Sequence, residues 1–158
     1  MDMAKASGMT VDQHITLRTA QAADFAFARA VHHAGMRWLG ERLLGHWDGA
    51  LQDKRFAQKF EREEVRIIVA GDADAGYIQT ADEAGAVVIK ELHIDEAFQN
   101  RGIGTGVLHL VLAEARRMTK PVTVTVVTFN PALAFYQRAG FRVVSEQDQR
   151  FSLRHENK

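Results

Sequence analysis

From His14 to Thr19 (HITLRT) apolar and polar residues alternate, the period of a half-buried strand. The stretch Ala22 to Arg37 is rich in alanine and carries Phe25, Phe27, Val31 and Met36, which predicts a helix. Gly35, Gly40, Gly45 and Gly49 then read as punctuation of a looser region around Trp38 and Trp47. A second helix is predicted from Asp48 to Glu63, with Ala50, Leu51, Phe56 and Phe60 among its apolar positions. Short strands follow at Val65 to Ala70, Gly76 to Thr80 and Ala86 to Asp95, separated by the turn clusters GDADAG and ADEAG. From Gly102 to Met118 the period returns to that of a helix. Val107, Leu108, Val111, Leu112, Ala115 and Met118 share one arc, opposite Thr105, His109 and Arg116. Val122 to Thr128 (VTVTVVT) is β-branched throughout and predicts a strand. A short helix is predicted from Asn130-Pro131 to Gly140: Asn suits an N-cap, Pro the first turn, and Gly the position past the end. Phe141 to Glu146 and Gln149 to Arg154 close the pattern as a strand pair, giving the order β-α-α-β-β-β-α-β-α-β-β in one mixed α/β domain.

Composition narrows the class without naming a chemistry. The 158 residues are 46% hydrophobic and 25% charged, enough apolar material for one core. Twenty basic residues balance twenty acidic ones, which argues against a nucleic-acid binder and against an acidic disordered chain. Without cysteine there is no disulfide framework, thiolate metal site or cysteine nucleophile. The opening MDMAKASGMTVDQ lacks the apolar run of a signal peptide, and no stretch approaches a membrane span. The expectation is a cytoplasmic protein with a flexible extension over residues 1–13 and a single domain over residues 14–158.

Chemistry enters at QNRGIGTG, Gln99 to Gly106, between a predicted strand and a predicted helix. Its glycines permit backbone conformations that let several N–H groups converge, and the helix behind adds its positive N-terminal end. Such a loop suits phosphate oxygens, with Arg101 as an added charge; it can equally be a turn without a ligand. Two nucleotide motifs fit poorly. The P-loop needs Lys after its last glycine, and the dinucleotide fingerprint needs a third glycine where Val107 stands.

At these residues the sequence resembles the GCN5-related N-acetyltransferase (GNAT) family. Gln99-Asn100-Arg101-Gly102-Ile103-Gly104 fits that family's signature of Gln or Arg, two residues, Gly, one residue, then Gly or Ala. Glu91-Leu92-His93-Ile94-Asp95 is similar to its central strand, and the segment Asn130 to Phe141 to its second block. The resemblance implies a GNAT-like domain: a twisted, mostly antiparallel sheet of about seven strands, about four helices, and central strands that splay apart. It implies acetyl-coenzyme A as cosubstrate, no metal, and a primary amine of a small molecule or peptide as acceptor, with a homodimer as one family option. The coenzyme diphosphate is expected on the amides of Gln99, Asn100, Arg101, Gly102, Ile103, Gly104 and Thr105. The pantetheine arm is expected along the backbone of Leu92 and Ile94, whose N–H would polarise the thioester carbonyl.

Direct attack by the amine needs no covalent intermediate. A lysine-like amine must first lose a proton, at a cost of about 4.6 kcal/mol at pH 7. Glu91 is the base candidate, with His93 on the same face as a second; the other reading of Glu91 is a strand-surface carboxylate. The resemblance gives Tyr136 the role of acid toward the departing thiolate, against a plain packing role. Asn130 is either a contact of the coenzyme arm or a helix cap, and Arg138 either reaches the 3′-phosphate or is an exposed helix residue. His32 and His33 read best as surface residues, since neighbours on a helix diverge by about 100°. The acceptor pocket is expected between Ala22 and Glu63, where Trp38 and Trp47 read as packing residues. A non-catalytic acyl-coenzyme A-binding or protein-interaction module of the same fold is the alternative.

Overall fold

The computed structural model describes residues 14–62 and 64–157; the expected extension over residues 1–13 lies outside them. Strand β1 (Ile15–Thr19) leads through a 3-10 turn at Ala22–Asp24 into α1 (Phe25–Leu44) and α2 (Gly49–Arg62). Strands β2 (Glu64–Ala70), β3 (Ala73–Glu83) and β4 (Ala86–Ile94) precede α3 (Ile103–Arg117). Then come β5 (Val122–Val127), α4 (Ala132–Arg138), β6 (Arg142–Gln147) and β7 (Arg150–His155). The seven strands form one sheet in the order β1-β2-β3-β4-β5-β7-β6. β1/β2, β5/β7 and β6/β7 run antiparallel, whereas β4/β5 is a parallel ladder of only three residue pairs, Val87–Val122 to Ile89–Val124. No described helix is long and apolar enough to cross a membrane.

The chain divides into two compact units, one reaching to Gln79 and including Glu91–Val107, the other built from Thr80–Lys90 and Leu108 onward. In the first, an aromatic core forms around Phe56: Phe25, Phe60 and Tyr77 lie with ring centroids 5.2–6.0 Å apart, backed by Ala28, Val31, Val65 and Ile67. Arg18 donates to both oxygens of Asp24 at 2.9 Å, and Asp24 accepts the Gln21 N–H at 2.8 Å, so the turn that launches α1 is tied to β1. That guanidinium, against a smaller opposing effect of burial, holds the Asp24 carboxyl below its usual range. In the second unit, the predicted arc of α3 is buried at Leu108, Val111, Leu112 and Ala115. Met118, past the helix end, is 48% exposed and leaves that arc. Asn157 donates through Nδ2 to the carbonyls of Leu112 and Lys120, at 2.8 and 3.2 Å, pinning the chain end to α3.

Two predicted boundaries fail. The first helix was expected to stop near Arg37, but α1 runs through Gly35 and Gly40 to Leu44 and ends at Gly45, whose φ of +79° and N–H bond to the Glu41 carbonyl make it the helix stop. β3 spans Ala73–Glu83 rather than Gly76 to Thr80, because it carries β2 and β4 on its two sides and pairing overrides weak local propensity.

Candidate active site

The glycine turn is held from both ends. The Asp95 N–H donates to the Ala75 carbonyl and the Phe98 N–H to the Asp95 carbonyl, both at 2.8 Å. Gln99 Nε2 donates to the Ile94 carbonyl at 2.9 Å, tying the turn to the last residue of β4. Asn100 and Gly102 take φ of +64° and +79°, and α3 begins at Ile103. Two left-handed residues in three bend the chain so sharply that the helix starts at once. The N–H groups of Ile103, Gly104 and Thr105 lie in the first turn and have no partner within the helix. Gln99, Asn100, Arg101, Gly102 and Thr105 are exposed, while the buried Ile103 anchors the helix start. The Arg101 guanidinium lies 5.4 Å from the Phe98 ring centroid.

Glu91 is no surface carboxylate. His93 Nε2 donates to Glu91 Oε1 at 2.7 Å, and His32 Nδ1 lies 3.9 Å from the same oxygen. Burial pushes the Glu91 carboxyl up. The His93 hydrogen bond and the fields of His93, His32 and Lys59 together outweigh it, so the group sits below its ordinary range and is ionised. His32 Nδ1 is hydrogen-bonded to the Tyr77 hydroxyl at 2.8 Å. Burial lowers the His32 imidazole to about 4 and, with the Glu91 charge, raises the Tyr77 phenol well above its usual value. At neutral pH the cluster is therefore one anion among neutral His32 and Tyr77 and the His93 donor.

These positions correct the reading of His32 and His33 as surface residues. His32, on the face of α1 that carries Ala28, Val31 and Leu39, is 7% exposed. His33 turns aside, donates to Asp53 Oδ1 at 2.6 Å, and meets the Trp47 ring edge-to-face at 5.3 Å. It lines an open cavity of about 390 Å³ with Ala34, Arg37, Trp47, Gly49 and Asp53, inside the stretch expected to supply the acceptor pocket. Trp38 is 41% exposed and so is no core residue.

Tyr77 was missed altogether. The signal was faint: it sits on a strand whose length was underestimated, and its partner lies 45 residues away. His32, Glu91 and His93 also bring three donor atoms within 4.8 Å of one another, the spacing a metal ion could bridge. In this arrangement they are engaged in hydrogen bonds with each other and with Tyr77.

In the second unit, Tyr136 is 6% exposed on α4, with Phe135 and Phe141 at ring-centroid distances of 5.1 and 5.5 Å. Asn130 Oδ1 accepts the Ala132 N–H at 2.9 Å, which gives it the capping role at the start of α4. Arg138 is exposed in the last turn of that helix.

Comparison with known proteins agrees with this frame. No curated relative matches the chain. Among solved structures, the PaiA N-acetyltransferase of Thermoplasma acidophilum, in complex with coenzyme A, superimposes with a TM-score of 0.72 at 14% identity, covering 90% of this chain and 98% of its own. An acetyltransferase from Thermus thermophilus gives 0.68 at 23% identity, over 89% and 94% of the two chains. YncA of Salmonella typhimurium, solved with its cofactor acetyl-CoA, gives 0.64 at 19% identity, over 91% and 94%. At such identities these likenesses speak for the fold alone. The acetyltransferase (GNAT) domain model matches residues 35–156, which include the glycine turn, Tyr77, Glu91, His93 and α4. With that match over most of its length, the chain belongs to the GNAT family and is an acyltransferase.

Proposed function

We propose that the protein transfers the acetyl group of acetyl-coenzyme A directly to a primary amine of a small molecule or peptide. The observation that carries this reading is the turn from Gln99 to Thr105, where left-handed Asn100 and Gly102 open directly into α3. Amides aimed outward at a helix N-terminus match a diphosphate. The PaiA and YncA structures, which hold coenzyme A and acetyl-CoA, support the same ligand here. The main chain of Leu92 and Ile94 takes the pantetheine arm. Gln99 already engages the Ile94 carbonyl, so the Ile94 N–H is the group assigned to the thioester oxygen. Asn130 and Arg138 are further coenzyme contacts in this reading.

Glu91 receives the proton of the acceptor ammonium, directly or through a water. The amine nitrogen bonds to the acetyl carbon as the carbon–sulfur bond breaks, Tyr136 gives its phenolic proton to the leaving thiolate, and the second proton shed by the acylated nitrogen returns through water to the Tyr136 phenolate. Such a base suits amines that are ammonium ions at neutral pH, because a buried anion favours a cationic acceptor. The test is calorimetric binding of acetyl-coenzyme A followed by a panel of amines. Tyr136→Phe should lower kcat about 100-fold and leave coenzyme affinity unchanged. Coenzyme binding with no turnover on any amine would leave a binding module instead.

A further inference from the structure

His93 sits where a helix side chain would otherwise be. A Cβ built on Gly35 of α1 would overlap its Nδ1 and lie 3.1 Å from its Cε1. The ring is gripped between this notch and the Glu91 carboxylate, which accepts its Nε2–H at 2.7 Å. Because Glu91 is ionised, Nε2 carries the proton in that bond. Nδ1, pressed against the Gly35 backbone, is poorly placed to meet a substrate. On the other side, Gly76 of β3 lets its strand approach the His93 carbonyl so closely that any Cβ there would overlap it. Both ends of the residue are thus fixed, one by each glycine.

Resting on the reading of Glu91 as the base, we propose that His93 is a positioning residue for the Glu91 carboxylate, and that Gly35 is the notch that lets it act. The ring does not touch the acceptor. It aims Oε1 and supplies the hydrogen bond that keeps the carboxylate ionised inside a buried cluster. The other groups facing Glu91 are His32 from α1, Tyr77 from β3 and the more distant Lys59 from α2. His32 and Tyr77 are neutral and engaged with each other, so His93 is the closest donor available to the anion.

The sign follows from the opposed influences on Glu91. Burial raises its proton affinity and the His93 bond is the largest influence lowering it, so removing the donor leaves burial opposed only by the weaker fields of His32 and Lys59. Replacing His93 with leucine should move the carboxylate's titration to higher pH by about one unit or more. The acid limb of kcat/KM should follow it, while at pH 7, above both titrations, kcat/KM should fall about threefold or more through the lost aim of the carboxylate rather than through its protonation. His93→Gln keeps a donor at a comparable reach and should restore the profile to within about threefold of the parent. Coenzyme affinity should be unchanged in both.

The decisive measurement is a 13C NMR titration of the Glu91 carboxyl carbon in the parent, His93→Leu and His93→Gln proteins. It is read beside the amine-acetylation pH profiles. An unmoved Glu91 titration in His93→Leu overturns the proposal, whatever the activity. A moved titration in a protein that acetylates no amine leaves the positioning role standing and removes the base role instead. A folded Gly35→Ala variant should reproduce the His93→Leu shift, because the new methyl group displaces the ring; a parent-like titration in it would discard the notch.

Discussion

The glycine turn before α3 and the middle of α1 both owe their form to glycine, for unrelated reasons. Gly102 has a φ of +79°, a conformation that side chains resist, and its value is the path it gives the backbone. Gly35 and Gly40 are ordinary helix residues, with no conformational demand on them. What they lack is volume. Gly35 makes room for the His93 ring and Gly40 for the Trp47 ring. A glycine inside a helix costs about 1 kcal/mol relative to alanine. In α1 that cost recurs and brings a strand histidine and a tryptophan against the helix backbone. One region uses glycine to shape a chain, the other to admit a neighbour.

Gly35→Val breaks the helix side of this contrast most severely. The His93 ring, 14% exposed, has α1 on one edge and Glu91 on another, so it cannot swing aside cheaply. Overpacking of this kind costs about 1–3 kcal/mol, and valine recovers little of the helix propensity that alanine would. We expect a loss of about 3 kcal/mol in urea unfolding with coenzyme affinity intact in the folded fraction. Weakened coenzyme binding by the folded protein would mean that α1 and the turn are not separable.

Gly102→Ala should give the crossed result. The left-handed conformation costs a residue with a Cβ about 1–2 kcal/mol, and the turn can relax by moving its exposed amides. Stability should fall by about 1 kcal/mol, while coenzyme affinity falls about tenfold or more because the converging N–H groups are disturbed. Equal affinity in the parent and this variant would remove the diphosphate assignment from the turn.

The same contrast explains what could be read from the chain alone. The turn is largely local: apart from the Ala75 carbonyl that holds Asp95, the residues that shape it lie between Ile94 and Gly106, so its spacing was visible and its place between strand and helix was right. The order of all eleven main elements was equally local, carried by hydrophobic period and end signals. The Glu91 cluster is assembled from α1, β3 and β4. Glu91 and His93 were legible as a same-face pair on one strand, but their partners were not, and Tyr77 was invisible without the sheet. Gly35 and Gly40 misled because a sequence shows a missing side chain without showing what occupies the space. One clue was present: Gly35 follows His32 by three positions, so a buried His32 carries Gly35 onto the same face.

Gly40→Ala tests how far the room made by a helix glycine is structurally necessary, and it should have the smallest effect. The new methyl carbon would lie 2.7 Å from Trp47 Cε3 and 2.9 Å from Cζ3, so the indole must shift. Trp47 is half-buried and, unlike His93 with its carboxylate partner, lies beside an open cavity, in the short segment between α1 and α2, with its ring contact to His33. It can move outward at the expense of that edge-to-face contact, worth about 0.5–1.5 kcal/mol. Alanine in turn returns about 1 kcal/mol of helix propensity. The two nearly cancel, and we expect a net stability change under about 1 kcal/mol, accompanied by red-shifted tryptophan emission as the indole gains water. The emission should be read in a Trp38→Phe background so that it reports Trp47 alone. A loss above about 2 kcal/mol with unshifted emission would show Trp47 to be as firmly seated as His93, and the two helix glycines would then be equivalent.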